Sequence, residues 1–229
     1  MAAQTDWSVS NQIEPALHLL GEDWSVYHPM TPRTVEARTA LFCQDTRLEW
    51  VHWVVRGIVK LTHLDQGGKQ VILGLRYSGS QLGLETAILE MPSSVTATSV
   101  TTCQITRVPS QLVRQVLKTN PRLAWDAHRM LAAEVNTHVG HLTHFACQTT
   151  RSRLLLLIAE FSSMQHVPGR RSDAIHIPLR RTELAQILGV TPEHLSRMLT
   201  ELQKEGRISL GKRTVVIHDD QPGTLANRA

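Results

Sequence analysis

Residues 180–202 read RRTELAQILGVTPEHLSRMLTEL, two helical segments joined by a tight turn at Leu188-Gly189-Val190. Ala185 is a small residue inside the first segment, where the second must approach closely, and Gly189 permits the positive φ that the turn needs. Leu195 and Met198 place apolar side chains on the inner face of the second segment. Small residue, glycine and later apolar pair together predict a helix-turn-helix. Thr191 suits the N-cap, Pro192 the first helical position and Glu193 the first turn.

On the second helix Glu193, Ser196 and Arg197 stand at i, i+3 and i+4 and share one face, opposite a stripe of Leu195, Met198, Leu199 and Leu202. A face of that kind fits a major groove. Arginine binds guanine O6 and N7 in bidentate fashion, and glutamate accepts from cytosine N4. A Glu–Arg pair at this spacing is also an ordinary helix salt bridge, and the two roles coexist because the pair fixes the arginine rotamer. Arg180, Arg181, Thr191, Lys204, Lys212 and Arg213 are candidates for backbone and phosphate contacts, each also readable as solvated surface. The segment ISLGKRTVVIHDD alternates as two strands about Gly211-Lys212-Arg213 and predicts a β-wing. Residues 149–229 hold 12 Lys and Arg against 8 Asp and Glu, whereas residues 1–148 hold 12 of each. The whole net charge of +4 therefore lies in the C-terminal part, as expected of a module that meets a polyanion.

Further upstream, TRSRLLLLIAEFSS predicts an amphipathic helix and HVPGRRSDAIHIP a loop with a short strand. Asn120-Pro121 opens a helical stretch that runs to about residue 148. Within it Ala124, His128, Leu131, Val135, His138, Leu142 and Phe145 recur in alternating steps of four and three. That is the seam of a helix pairing with its own copy. Leu123 and Met130 lie on another face, suited to packing against the domain before it. From residue 33 to 108 the pattern turns to strands, with LEWVHWVV (48–55), GIVKLTHL (57–64), QVILGLRY (70–77), SVTATSV (94–100) and CQITRV (103–108). The turn material Asp65-Gln66-Gly67-Gly68-Lys69 and Ser78-Gly79-Ser80 separates them, and a small β-roll follows. SQLVRQVLK predicts a short helix after Pro109.

The expected organisation is an α+β chain: a β-roll in residues 1–120, a dimerisation helix in 121–148 and a winged helix-turn-helix in 149–229. Apolar residues at 41% and charged residues at 19% fit a globular chain. The longest apolar run, Leu154 to Ala159, is too short to span a bilayer. MAAQTDWSVSNQIEP shows no basic segment followed by an apolar one, so the expected setting is cytoplasmic, without membrane contact. Cys43, Cys103 and Cys147 form neither a disulfide framework nor a zinc pattern. No carboxylate pair, Ser/His/Asp arrangement, phosphate loop or His-x-His site emerges, so no catalytic residue, metal or cofactor is expected. A β-roll enzyme with an accessory helix-turn-helix is the distant alternative.

β-roll, long helix and winged helix-turn-helix, in this order, resemble the CRP/FNR family of bacterial transcription regulators over nearly the whole chain from about residue 15. VTPEHLSRMLTEL resembles the FNR, FixK and DNR branch, which carries Glu-x-x-Ser-Arg in the recognition helix. That resemblance implies Glu193, Ser196 and Arg197 as base readers and a palindrome close to TTGAT–four bases–ATCAA. It also implies a phosphate contact at Arg181 and a contact with RNA polymerase. Arg180 stands where the family has a Thr or Ser cap. Pro192 stands where cyclic-AMP-responsive members have arginine, which argues against a TGTGA half-site.

The family's cyclic-nucleotide cassette resembles Gly-Glu followed, about ten residues on, by Arg-Ser. Here Gly83 is followed by Leu84, and Ser93-Ser94 replaces Arg-Ser. A buried phosphate would lack its charge partner. The FNR iron–sulfur cluster takes four thiolates, three grouped near the N-terminus, whereas this chain has three cysteines and none before Cys43. The expected effector is unknown and possibly none. The alternative is a haem- or redox-sensing regulator of the same fold, using a histidine such as His28, His52 or His63, or a single thiol. His128 and His138 on the seam, and His138, His141 and His144 three residues apart, are further histidines to place.

Overall fold

The computed structural model describes residue 24 and residues 27–165, 174–211 and 213–218. Strands β1 (Arg33–Val35), β2 (Ala40–Phe42), β3 (Trp50–Arg56), β4 (Val59–Leu64), β5 (Gln70–Arg76), β6 (Gln81–Leu82), β7 (Thr96–Ser99) and β8 (Cys103–Pro109) build the N-terminal part. They form two four-stranded sheets, β1-β8-β3-β6 and β2-β7-β4-β5, with antiparallel pairing. This is the β-roll that the strand-rich segment predicts.

The near-continuous apolar run in β3 has a physical reason, since the strand is covered on both sides. Val51 and Trp53 point to a cluster with Trp24, Val108, Val113 and Leu123. Val54 points the other way, to Val59, Leu82, Ala97, Cys103 and Ile105. Asp65 closes the β4–β5 hairpin: its N–H donates to the Lys69 carbonyl at 3.0 Å, and its carboxylate accepts from the Lys69 N–H at 2.9 Å.

Helices α1 (Leu84–Leu89) and α2 (Ser110–Thr119) belong to this half of the chain, and α3 (Pro121–Cys147) begins in it. Asn120 caps α3, its side-chain carbonyl accepting from Arg122 N–H at 3.1 Å and Leu123 N–H at 3.2 Å. The adjacent Pro121 has no N–H to leave unmet. Leu123 and Ala127 are buried against the β-roll cluster, and Met130 and Leu131 pack on it in part. Further along, Val135 and Leu142 are 60% and 70% exposed. Leu131, placed on the seam by its spacing, thus also serves the β-roll, while Val135 and Leu142 are left open.

Contacts divide the chain into two compact units, Met1–His138 and Val139–Ala229, with the division inside α3. The second unit contains α4 (Thr150–Gln165), β9 (Ala174–His176), α5 (Arg181–Leu188), α6 (Pro192–Lys204), β10 (Ile208–Leu210) and β11 (Thr214–Ile217). Its sheet has the antiparallel order β10-β11-β9. Leu154, Ile158, Phe161, Leu188, Leu195 and Leu202 are fully buried at its centre, each contributing about 1.5–3 kcal/mol from apolar burial. The expected HVPGRRSD loop, residues 166–173, and the first 23 residues lie outside the described residues.

Candidate nucleic-acid interface

The turn between α5 and α6 is fixed by its own hydrogen bonds. Gly189 sits at φ 68°, ψ 35°, its N–H donating to the Gln186 carbonyl at 3.1 Å, while Val190 N–H donates to the Ala185 carbonyl at 3.0 Å. A Cβ at Gly189 would press on the tip of the Phe145 ring, and the left-handed backbone conformation there demands glycine. Ala185 is buried at the crossing, as its small size requires. Thr191 caps α6, its hydroxyl accepting from His194 N–H at 3.2 Å, and Pro192 occupies the first turn. Arg180 is the N-cap of α5 without a side-chain cap; instead its N–H donates to the Glu183 carboxylate at 2.8 Å.

Helix α6 separates its two faces cleanly. Leu195, Met198, Leu199 and Leu202 are buried, and Glu193, Ser196 and Arg197 are all exposed. The Glu193 carboxyl is held below the usual carboxylate range by its own backbone N–H, then by the Thr191 hydroxyl and the Arg197 guanidinium. The spacing also puts Thr200 and Lys204 on this face, both exposed. Thr200, which the base-reading motif does not include, donates its hydroxyl to the Ser196 carbonyl at 2.9 Å. The face thus presents an ionised acceptor, a hydroxyl and a guanidinium on a helix that cannot roll without exposing four apolar side chains.

Among the other expected contacts, Arg180 and Arg181 are exposed at the start of α5. Arg213 is exposed beside β11, its carbonyl accepting from Ile177 N–H at 2.9 Å, and Lys212 lies outside the described residues. Ser209 and His218 join the two wing strands by a 2.6 Å hydrogen bond.

Arg153 on α4 was not singled out by the sequence pattern, yet it organises the back of the turn. Its guanidinium lies 4.2 Å from the centre of the Phe145 ring. Its Nη1 donates to the Phe145 carbonyl at 2.7 Å and its Nη2 to the Leu188 carbonyl at 2.9 Å. One cation thereby satisfies the last carbonyls of both α3 and α5. A bidentate pair of Arg151 with Glu205 joins α4 to the end of α6 in the same way. A basic residue six positions after a helix end is the signal that could have drawn attention to Arg153.

The histidines and cysteines considered for sensing are spread apart. His52 is buried inside the β-roll beside the Phe42 ring, and its pKa is lowered to about 4 by burial and then by Arg107. His63 Nδ1 is 2.8 Å from the Ser94 carbonyl, and His28 faces Trp50. His128 Nδ1 is 2.6 Å from the Ala124 carbonyl, and His138 Nε2 is 3.7 Å from the Glu134 carboxylate. No group of three or more His, Cys, Asp or Glu suited to a metal ion occurs among the described residues. Burial pushes the Cys103 thiol up, while Cys43 and Cys147 are exposed. No described helix is long and apolar enough to cross a membrane.

Comparison with known proteins gives this arrangement its relatives. The Crp-like helix-turn-helix domain matches residues 152–221, and the cyclic nucleotide-binding domain matches residues 32–120. The global nitrogen regulator of Nostoc sp. is 24% identical over 202 residues, 87% of this chain and 90% of that protein. The cAMP-activated global transcriptional regulator CRP of Salmonella typhimurium is 24% identical over 187 residues, 80% of this chain and 87% of that protein. The structure of FixK2 from Bradyrhizobium japonicum superposes with a TM-score of 0.70 at 22% identity, covering 82% of this chain and 92% of that one.

The chain belongs to the CRP/FNR family. As a CRP/FNR-type regulator it joins a nucleotide-binding-type β-roll to a DNA-binding helix-turn-helix. Its β-roll nonetheless uses the cassette positions for its own structure. Leu84 is buried in the apolar cluster. Ser93 is buried as well, with its hydroxyl donating to the Val95 carbonyl at 2.8 Å and accepting from Val95 N–H at 3.3 Å.

Proposed function

We propose that this CRP/FNR-family chain is a homodimeric, sequence-specific transcription regulator that reads a TTGAT-N4-ATCAA-like palindrome without a small-molecule effector. The observation that carries the reading is the exposed Glu193–Ser196–Arg197 face on a helix capped by Thr191 and anchored by four buried apolar side chains. Each TTGAT half-site contains one G·C pair. Arg197 meets guanine O6 and N7 there, and Glu193 accepts from the cytosine N4 amine. Arg180, Arg181, Thr191, Lys212 and Arg213 hold the backbone and set the register.

In this reading residues 1–120 form a sensor-type domain, 121–148 the dimerisation helix and 149–229 the DNA-binding domain. Leu131, Val135, His138, Leu142 and Phe145 form the seam, which places two recognition helices about one DNA turn apart. The regulator works in the cytoplasm, contacts RNA polymerase and catalyses no reaction. Selection of bound duplexes from a random pool by the unliganded protein tests this. Two-fold-symmetric half-sites with an obligatory G·C pair are expected; enrichment without symmetry would overturn the palindrome, and loss of the G·C requirement would overturn the role of Arg197.

A further inference from the structure

Three polar side chains from distant parts of the sequence meet where β5 and β6 face α3. Arg76, at the end of β5, donates through Nη2 to Glu134 Oε1 at 2.9 Å. Gln81, on β6, donates through Nε2 to Glu134 Oε2 at 2.9 Å, while its Oε1 accepts from Leu84 N–H, the start of α1, at 3.1 Å. The backbone N–H fixes which end of the Gln81 amide points where, because only the carbonyl oxygen can receive it. The amide nitrogen is therefore committed to an acceptor on the α3 side. Gln81 is 7% exposed and the Arg76 side chain 12%, so neither donor can turn to bulk water instead. Two donors, one of them cationic, are aimed at the two oxygens of one carboxylate.

We propose that this crevice is a carboxylate-binding site whose occupant is the chain's own Glu134, which ties α3 to the β-roll as a bound effector would. The inference rests on the chain being a DNA-binding regulator and supplies its effector-free regulation. Phe42, Leu61, Leu82, Gly83 and Val95 line the rest of the crevice. About 20 Å³ of free space remains there, room for about one water. Glu85 stands at the same crevice, so a phosphate would meet a second carboxylate as well as Glu134. Val135, a seam residue, follows Glu134 at about 100° round the helix. Fixing Glu134 on the β-roll therefore fixes the direction in which α3 presents Val135.

Glu134→Ala empties the site and leaves the Arg76 and Gln81 donors facing a cavity that fits a small carboxylate. Its affinity for the duplex that the wild-type chain prefers, whatever that sequence is, is expected to fall by about 10-fold. About 50 mM sodium acetate, with chloride lowered to hold ionic strength, is expected to restore most of that loss while leaving the wild-type protein unchanged. Calorimetric titration with acetate, without DNA, should detect binding to E134A alone. If Glu134→Ala does not fold, Glu134→Gln takes its place, with weaker DNA binding and no response to acetate. Arg76→Ala should lose affinity without acetate rescue, because the cation is gone. Unaltered DNA binding by a folded E134A or E134Q, or a loss in E134A that acetate neither repairs nor binds to, overturns the site. Acetate binding to E134A by a chain whose wild type prefers no duplex would instead leave the site standing and refute the DNA-recognition reading.

Discussion

The two units of the molecule dispose their polar groups in opposite directions. In the β-roll unit, Arg76 and Gln81 both donate to the Glu134 carboxylate, and His52 is buried beside Phe42. In the helix-turn-helix unit, Glu193, Ser196 and Arg197 stand together on the outside of a helix whose apolar side is fully used. Groups that already have partners within the chain hold structure; a row of exposed groups on a rigid support invites a partner from outside. The outward row lies in the part of the chain that matches the Crp-like helix-turn-helix domain.

The largest expected effect bears on the open face of α3. Leu142→Asp places a charge on the proposed seam and should convert the proposed dimer to monomer in sedimentation experiments. Palindrome affinity should then fall by about 100- to 10,000-fold through loss of bivalency. A stable dimer would move the seam elsewhere.

Acid should weaken the β-roll next. His52 titrates near 6.5 when unfolded and near 4 when folded, so below pH 6.5 the unfolded chain takes up a proton that the folded β-roll refuses. Stability is complete above pH 6.5 and declines as the pH falls towards 4, by about 3 kcal/mol from this residue. Chemical unfolding followed by tryptophan fluorescence across that window should show the slope, and His52→Phe should flatten it. An unchanged slope in the variant would assign the acid sensitivity to other groups.

Two smaller effects belong to the outward face. Arg197→Ala should lose about 1–3 kcal/mol on the palindrome and little on random DNA. Equal losses on both would make Arg197 a phosphate contact. Thr191→Ala should cost about 1 kcal/mol of stability through its cap, measured by thermal unfolding.

Local signals made the DNA-facing unit legible from sequence. Gly189, Thr191 and Pro192 each satisfy a backbone requirement within four residues of where they act, and the Leu195–Leu202 stripe follows from helix periodicity alone. The Asn120-Pro121 helix start and the Asp65–Lys69 hairpin were readable for the same reason. Long-range polar contacts were not. Arg76 and Glu134 lie 58 residues apart, Gln81 and Glu134 lie 53 apart, and Arg153 reaches the Leu188 carbonyl across 35. No periodicity marks such pairs, because their meeting depends on how the sheets fold over the helices. The four-and-three repeat along α3 was readable as a pattern, yet Leu131 and Phe145 serve contacts inside the chain that a heptad count does not reveal.

The central claim is tested most directly by fluorescence anisotropy of the unliganded protein on a TTGAT-N4-ATCAA duplex and on a scrambled duplex of equal composition, over a salt series. The expected result is preferential binding to the palindrome that persists as salt rises, while binding to the scrambled duplex falls away with the steeper salt dependence of phosphate contacts alone. Weak binding to both duplexes with the same salt slope would contradict the account.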